Sequence, residues 1–328
     1  MKKILGIGDP CMDFLAFADE LPGYDKQVHL QEYGWQGGGK VATAMAAVGR
    51  LGGQAALIGG VGEDAFGQFC VADLERHGVD TQGVFVDPGK GTEFCICISE
   101  PVHMSRCLIY KRGGARDIAV SDLKEALFAQ ADFVHLPYMS ADEVPHMAEV
   151  MRTAARLARA NGARVSVDLD FMPQDDGDFQ LTDIVAASEA FYHKRFGDSE
   201  DYEAACREML ALGVKQIVFT LGPRGSVGMS VDEPFFHAPG YKVPVMDTTG
   251  AGDVFHGALL YGLAQDWTLR DAAQFANAVA AIKCTRLGGR AGIPDRGVAA
   301  RFMETGEIDF ADIDRRVALY RTNFMGGE

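Results

Sequence analysis

The chain has 328 residues, 48% apolar and 23% charged, which is enough to bury a sizeable core and too apolar for a disordered chain. Lys plus Arg number 31 against 46 Asp plus Glu, and the resulting formal charge of −15 disfavours nucleic-acid and membrane-surface roles. The apolar start of MKKILGIGDPCMDF is cut by Asp9 too soon for a signal-peptide core, and no apolar run approaches the ~20 residues of a membrane span. The expected setting is cytoplasmic, with the seven cysteines as reduced structural thiols and no zinc ligand set.

In chain order, short β-rich runs alternate with helical ones. Ile4–Ile7 reads as a buried strand, Gly39–Arg50 as a helix, Ala55–Ile58 as a strand, and Phe66–His77 as a helix ended by Gly78. Phe133–Leu136, Arg164–Leu169 and Gln216–Leu221 read as further strands. Between them lie helices over Ala141–Ala160, closed by Asn161-Gly162, and over Ser199–Leu212 before Gly213. Buried strands alternating with helices predict an α/β fold, a doubly wound parallel sheet covered on both faces. Two segments break the rhythm. Phe14–Gln36 holds Pro22-Gly23 and a polar extended stretch, and Thr92–Tyr110 is two β-rich runs around a Pro-containing turn. Neither carries a crossover helix, so they predict a small β lid, about 14–36 and 92–112, inserted into a single domain spanning 1–328.

The strongest motif is Asp247-Thr248-Thr249-Gly250-Ala251-Gly252-Asp253, read with a strand over Lys242–Met246 leading in and a helix leading out. Small residues at a helix N-terminus bring unpaired N–H groups close to an anion. Asp253 in the first turn would favour the helix dipole, but the Gly-Ala-Gly before it also suits deprotonation of a hydroxyl attacking a phosphoryl group. Gly34-x-x-x-x-Gly39-Lys40 has P-loop spacing, yet Val41 stands where the magnesium-binding hydroxyl belongs. A Gly-rich helix start facing a polar substrate is the better reading. A dinucleotide fingerprint at Gly6-Ile7-Gly8 fails at Pro10 and Cys11, which argues against an oxidoreductase. Asp9 and Asp13, in the loop after the first strand, either orient sugar hydroxyls or are plain turn residues. Thr220–Gly225 is a Gly-rich turn after a strand, and His256 is the one histidine that stands near a motif.

DTTGAGDVFHGAL resembles the C-terminal signature of the ribokinase-like (PfkB) carbohydrate kinases, and GGGKVATAMAAVGRLGG with ALIGGVGEDAFG is similar to their N-terminal one. FVHLP, VSVDLD, IVFTLGPRG and CTRLGGRAGIP fall in the family's order, so the resemblance covers nearly the whole chain. It implies transfer of the γ-phosphoryl group of ATP, with Mg2+, to a sugar-like alcohol. Asp253 matches the catalytic base, and Gly250, Ala251 and Gly252 the anion hole. Asp13, Gly38 and Gly39 match the sugar side, with Thr43 where many members have Asn. Thr220, Gly222 and Gly225 match the nucleotide turn, and Asn277 would lie near the adenine. The resemblance also implies a monovalent cation, usually K+, with ligands at Asp247, Thr249 and the carbonyls around Lys283, Arg286, Gly288 and Gly292. It implies a homodimer through the lid. The family's N-x-x-E motif appears as Ser188-Glu189-Ala190-Phe191, so its Glu is lost unless Glu189 or Asp170 takes over. The C-terminal motifs are especially similar to sulfofructose kinases. Lys26, Arg106, Lys111 or Arg112 would meet an anionic sugar, although Met139 stands where those kinases place a sulfonate-binding Arg. A nucleoside kinase and a non-catalytic ligand-sensing relative are the alternatives.

Overall fold

The computed structural model describes residues 1–100, 105–138, 147–170, 172–173 and 175–322. Strand β1 (Lys3–Ile7) leads through Gly8-Asp9-Pro10 into β2 (Cys11–Ala18), and β3 (Leu30–Gly38) runs into helix α1 (Lys40–Arg50). Then come β4 (Gln54–Gly62), α2 (Ala65–Arg76), β5 (Val79–Asp87), β6 (Phe94–Glu100), β7 (Ser105–Lys111), α3 (Glu125–Phe128) and β8 (Phe133–Leu136). The middle of the chain forms α4 (Ala148–Ala160), β9 (Arg164–Leu169), β10 (Ile184–Ser188), α5 (Glu189–Phe196), α6 (Tyr202–Ala211) and β11 (Gln216–Thr220). Strands β12 (Gly225–Ser230) and β13 (Phe236–Pro239) precede α7 (Ala251–Ala264), α8 (Leu269–Lys283), α9 (Arg296–Thr305) and α10 (Ala311–Thr322).

Nine strands form one sheet in the order β13-β12-β11-β10-β9-β8-β1-β4-β5, parallel from β11 to β5 and antiparallel at the β12–β13 edge. The central strands are buried on both sides, as KILGI and IVAAS require, because neither offers a polar face to water. Helices α1, α7, α8 and α9 cover one face, and α4, α5 and α6 the other. From β1 the chain winds outward through β4 and β5, and later in the opposite direction from β8 through β11. That reversal between β1 and β8 opens a crevice at the carboxyl ends of the strands, where ligands bind in doubly wound folds.

The two segments that break the β/α rhythm form a separate four-stranded sheet, β3-β2-β6-β7, in which only β2 and β6 run parallel. Phe14 packs against Trp35 at 4.6 Å between ring centroids, and Phe66 of α2 stacks on both Trp35 and Phe94, so this sheet is fastened to the main body by aromatic contact. Its strands reach further than expected, from Cys11 and to Gly38. Asp13 therefore stands on a strand, opposite Gln36 and Cys95, and not in a loop.

The expected strand over Lys242–Met246 is absent. Pro244 cannot donate to a ladder, and this irregular segment is tied down at its end by Met246 and Asp247, whose amides donate to the Cys284 carbonyl. The start of the helix expected from Ala141 lies outside the described residues; α4 begins at Ala148. Arg290 is fully buried and joins distant parts of the chain, donating to Asp73 of α2 (2.8 Å), the Gly38 carbonyl (2.7 Å) and the Thr43 hydroxyl (3.4 Å). Tyr320 of α10 donates to the other Asp73 oxygen at 2.6 Å. A buried charge is tolerated only with partners of this kind. Among the described residues no helix is long and apolar enough to cross a membrane.

Candidate active site

A cavity of about 650 Å3 fills the crevice. Its floor is built from strand ends, with Asp9 after β1, Asp170 after β9, Ser188 closing β10 and Thr220 closing β11, while Asp13, Arg106, Tyr110 and Arg112 of the small sheet and its flank roof it. The Thr248–Asp253 turn forms one wall.

Helix α7 starts at Gly250, whose φ of 72° is left-handed and costs glycine nothing. No side chain caps this helix, and a Cβ on Gly252 would meet nothing within 4 Å. The first turn thus presents amides, backed by the helix dipole, to open space, although that of Ala251 also donates to the Thr248 carbonyl at 3.1 Å. Asp253 follows at the third helical position. Burial, the nearby Asp168 charge and, more weakly, Asp170 raise its pKa to about 7, against the opposing charges of Lys40 and His256. It is thus a carboxylate poised between its two protonation states near neutral pH.

Beside it lies a cluster that the sequence reading largely missed. Lys40, the first residue of α1, reaches Asp168 at 3.2 Å and Asp170 at 2.7 Å, and His256 lies 3.3 Å from Asp168. Burial opposes charge on Asp168, but the cationic His256 and Lys40 outweigh it and hold its pKa down; Asp168 in turn raises that of His256, against burial and the Lys40 charge. Asp168 and Asp170, two apart at the end of a buried parallel strand, were the available signal.

On the other side of the cavity, Cys11 Sγ donates to Asp13 at 3.3 Å, and burial raises the Asp13 pKa to about 6. Gly38 lies against this carboxylate, and a Cβ there would fall 2.2 Å from Asp13 Oδ2. Asp9 accepts from the Gly60 amide at 2.6 Å, and burial raises its pKa to about 7. Gly39 and Arg112 line the cavity as expected, with Arg112 3.6 Å from Asp117.

Several expected residues are placed elsewhere. Thr43 is buried and turned to Arg290, Lys26 sits exposed on the β2–β3 connection, and Met139 lies outside the described residues. The Asn277 amide is spent on Ser226 Oγ (3.1 Å) and the Ala238 carbonyl (2.9 Å), which anchors α8 to the sheet edge. Gly222 and Gly225 bracket a turn just past Thr220 without lining the cavity. Ser188 lines it while capping α5 at the Phe191 amide (3.2 Å). Glu189, half-buried at the start of α5, lies outside the cavity, held by Tyr202 (3.0 Å) and Arg224. Asp170 is the acid left in the cavity at that end. Among the described residues no group of three or more His, Cys, Asp or Glu forms a metal cluster.

Around Asp247, two of the expected cation ligands, Asp247 and Thr249, already carry donors. The carboxylate accepts from Ser99, Thr249 and Gly288, and the Asp247 and Thr249 carbonyls accept from the Lys283 ammonium. The Arg286 side chain, as distinct from the backbone carbonyl expected as a ligand, turns outward to Asp314, and Gly292 packs against the Lys283 backbone.

A crevice at a topological switch point, an amide-bearing helix start and a half-buried carboxylate are the parts from which a site for an anionic group and a small polar acceptor is built. Residues 1–296 match the model of the pfkB family of carbohydrate kinases, and the chain belongs to that family. It is a carbohydrate kinase. It is 30% identical to fructokinase-1 of Oryza sativa subsp. japonica, over 82% of this chain and 88% of that protein. It is 28% identical to an ATP-dependent ribose-1-phosphate kinase of Halopiger xanaduensis, over 93% and 99%. The structure of a fructokinase with bound ATP from Xylella fastidiosa superposes with a TM-score of 0.74 at 25% identity, covering 94% of this chain and all of that one.

Proposed function

We propose that this kinase transfers the γ-phosphoryl group of ATP to a hydroxyl of a sugar or sugar derivative, with Asp253 as general base and the Gly250–Gly252 amides as anion hole. The observation that carries this reading is the placement of Asp253. It stands half-buried at the third position of a helix that no side chain caps, in the wall of the same cavity that Asp13 and Gly39 line. Asp253 takes the hydroxyl proton as oxygen attacks phosphorus, the amides receive charge developing on the phosphoryl oxygens, and Asp13 orients the remaining hydroxyls. Thr220 and Ser188, on the strand-end floor, border the nucleotide side. Mg2+ accompanying the nucleotide would meet Asp170, which lines the cavity although Lys40 holds one of its oxygens, and not Glu189, which lies outside the cavity on Tyr202 and Arg224; it would neutralise phosphate charge. ATP as donor goes with a cytoplasmic setting. Arg106 and Arg112 leave an anionic sugar among the acceptor classes.

The experiment is ADP release from ATP-Mg across ketoses, aldoses, sugar acids, a sulfosugar and nucleosides. Turnover with a sugar that is lost in Asp253→Asn supports the reading. Turnover with a nucleoside alone moves the acceptor class, and ATP binding without turnover on any acceptor fits the ligand-sensing alternative.

The Asp13 role has its own check. Gly38→Ala pushes a methyl into the Asp13 carboxylate, so KM for the acceptor should rise about tenfold or more with KM for ATP unchanged. Equal rises in both KM values would count against Asp13 as an acceptor ligand.

Exposed Leu30, Tyr33 and Ile109 on the outer strands of the small sheet support pairing of two copies through it. Light scattering should give a dimer mass, and Ile109→Lys a monomer. A monomeric wild type removes this part of the reading.

A further inference from the structure

Lys283 ends α8 with no exposed surface at all, an unusual place for an ammonium group. Its Nζ donates to the Asp247 carbonyl at 2.9 Å and to the Thr249 carbonyl. The neighbouring Asp247 carboxylate supplies the counter-charge, and it is itself fully engaged. One oxygen accepts from Ser99 Oγ (2.9 Å), Thr249 N (3.0 Å) and Thr249 Oγ1 (2.8 Å), and the other from Gly288 N (2.7 Å).

A potassium ion placed here would need the Asp247 carboxylate and the Asp247 and Thr249 carbonyls stripped of donors. It would also sit beside a buried like charge competing for the same two carbonyls, without water to screen either. The donor set therefore does not fit a resident monovalent cation. It fits an ammonium, which is singly charged, close to potassium in size and able to donate three hydrogen bonds.

We infer that Lys283 is a built-in monovalent cation that orders the phosphate-binding turn, so that this kinase needs no potassium. The mechanism lies in the peptide plane. The Thr249 carbonyl and the Gly250 N–H belong to one trans peptide unit and point in opposite directions. Pinning that carbonyl on the ammonium side fixes the N–H toward the cavity. The Asp247 carbonyl and the Thr248 N–H are fixed in the same way. Because the charge is covalently attached, this order does not depend on the concentration of any salt.

The inference rests on the kinase reading, and two measurements keep their failures apart. After exhaustive removal of K+ and NH4+, initial rates of the wild type are compared in K+, Na+ and tetramethylammonium chloride at constant ionic strength. Rates within about twofold are expected, whereas saturable activation by K+ of about tenfold or more overturns the inference. Thermal unfolding of the wild type is then followed across a K+ titration at constant ionic strength, which needs no acceptor. A resident site would raise Tm by mass action; the expected shift is below about 1 °C, and a saturable rise above that overturns the inference even if the kinase reading fails. Lys283→Met removes the charge at similar length and should become slower and less stable in tetramethylammonium, with K+ restoring part of both. A Lys283→Met enzyme as active as wild type in tetramethylammonium would equally overturn it. Should that variant not fold, the two wild-type measurements decide.

Discussion

Asp253→Asn should lower kcat by about 10²–10⁴ while the nucleotide still binds, because the variant keeps the shape of the site and loses only the proton acceptor. The wild-type rate should carry an acid limb near pH 7, falling as pH drops, since burial and neighbouring carboxylates raise the Asp253 pKa to about 7 and only the ionised form accepts a proton. Asp253→Asn should lose that limb. The stability sign runs the opposite way to the activity. The folded-state pKa lies above the ordinary 3.8, so the native state holds this proton more tightly than the unfolded chain does. Ionising Asp253 then erodes stability as pH rises from about 4 toward 7. The neutral Asn removes that burden, so above pH 7 the variant should melt no lower than the wild type. Activity loss accompanied by a lower Tm at pH 8 would point to misfolding, and an unchanged kcat would remove Asp253 from the mechanism.

The parts of this molecule written in local pattern were legible in the sequence. The apolar runs at Ile4–Ile7, Phe133–Leu136, Arg164–Leu169 and Gln216–Leu221 sit almost residue for residue in the parallel sheet, because a strand buried on both faces has no other way to look. The Gly-Ala-Gly-Asp helix start was equally plain, since few other purposes call for that composition. What eluded the sequence is set by partners far away in the chain. Lys242–Met246 has strand-like residues, but Pro244 and the Cys284 carbonyl decide its course. Asn277 and Thr43 look like site residues by position and are spent on the β12–β13 edge and on Arg290. The family resemblance implies only a backbone carbonyl at Lys283, whereas its side chain reaches across to the carbonyls of residues 247 and 249, a contact no local pattern signals.

Lys40→Met should move the acid limb of kcat/KM upward by about one pH unit or more and lower kcat/KM at pH 7 by about 10²–10³. Lys40 lies between Asp168 (3.2 Å) and Asp170 (2.7 Å), and its charge is one of two that hold the Asp253 pKa from rising further. With a neutral side chain there, Asp168 and Asp170 act on Asp253 with less opposition, so the base is protonated over more of the working range. Incoming phosphate charge also meets two carboxylates that nothing at position 40 offsets. The Lys40 pKa is itself raised above 10.5, because these carboxylates outweigh the burial that opposes its charge. Its contribution to stability is thus fully present at neutral pH and is lost only as pH climbs through that raised value. The wild type should show no change in Lys40 pairing across pH 6–9; Asp9, Asp13 and His256 also titrate in or near that range, so the part of a limb that Asp253→Asn removes is the part that belongs to Asp253. If the Lys40→Met limb stays at its wild-type position while the rate falls, Lys40 acts on the phosphoryl group alone. If neither moves, the Lys40–Asp168–Asp170 cluster is a structural brace and the electrostatic account of the site fails.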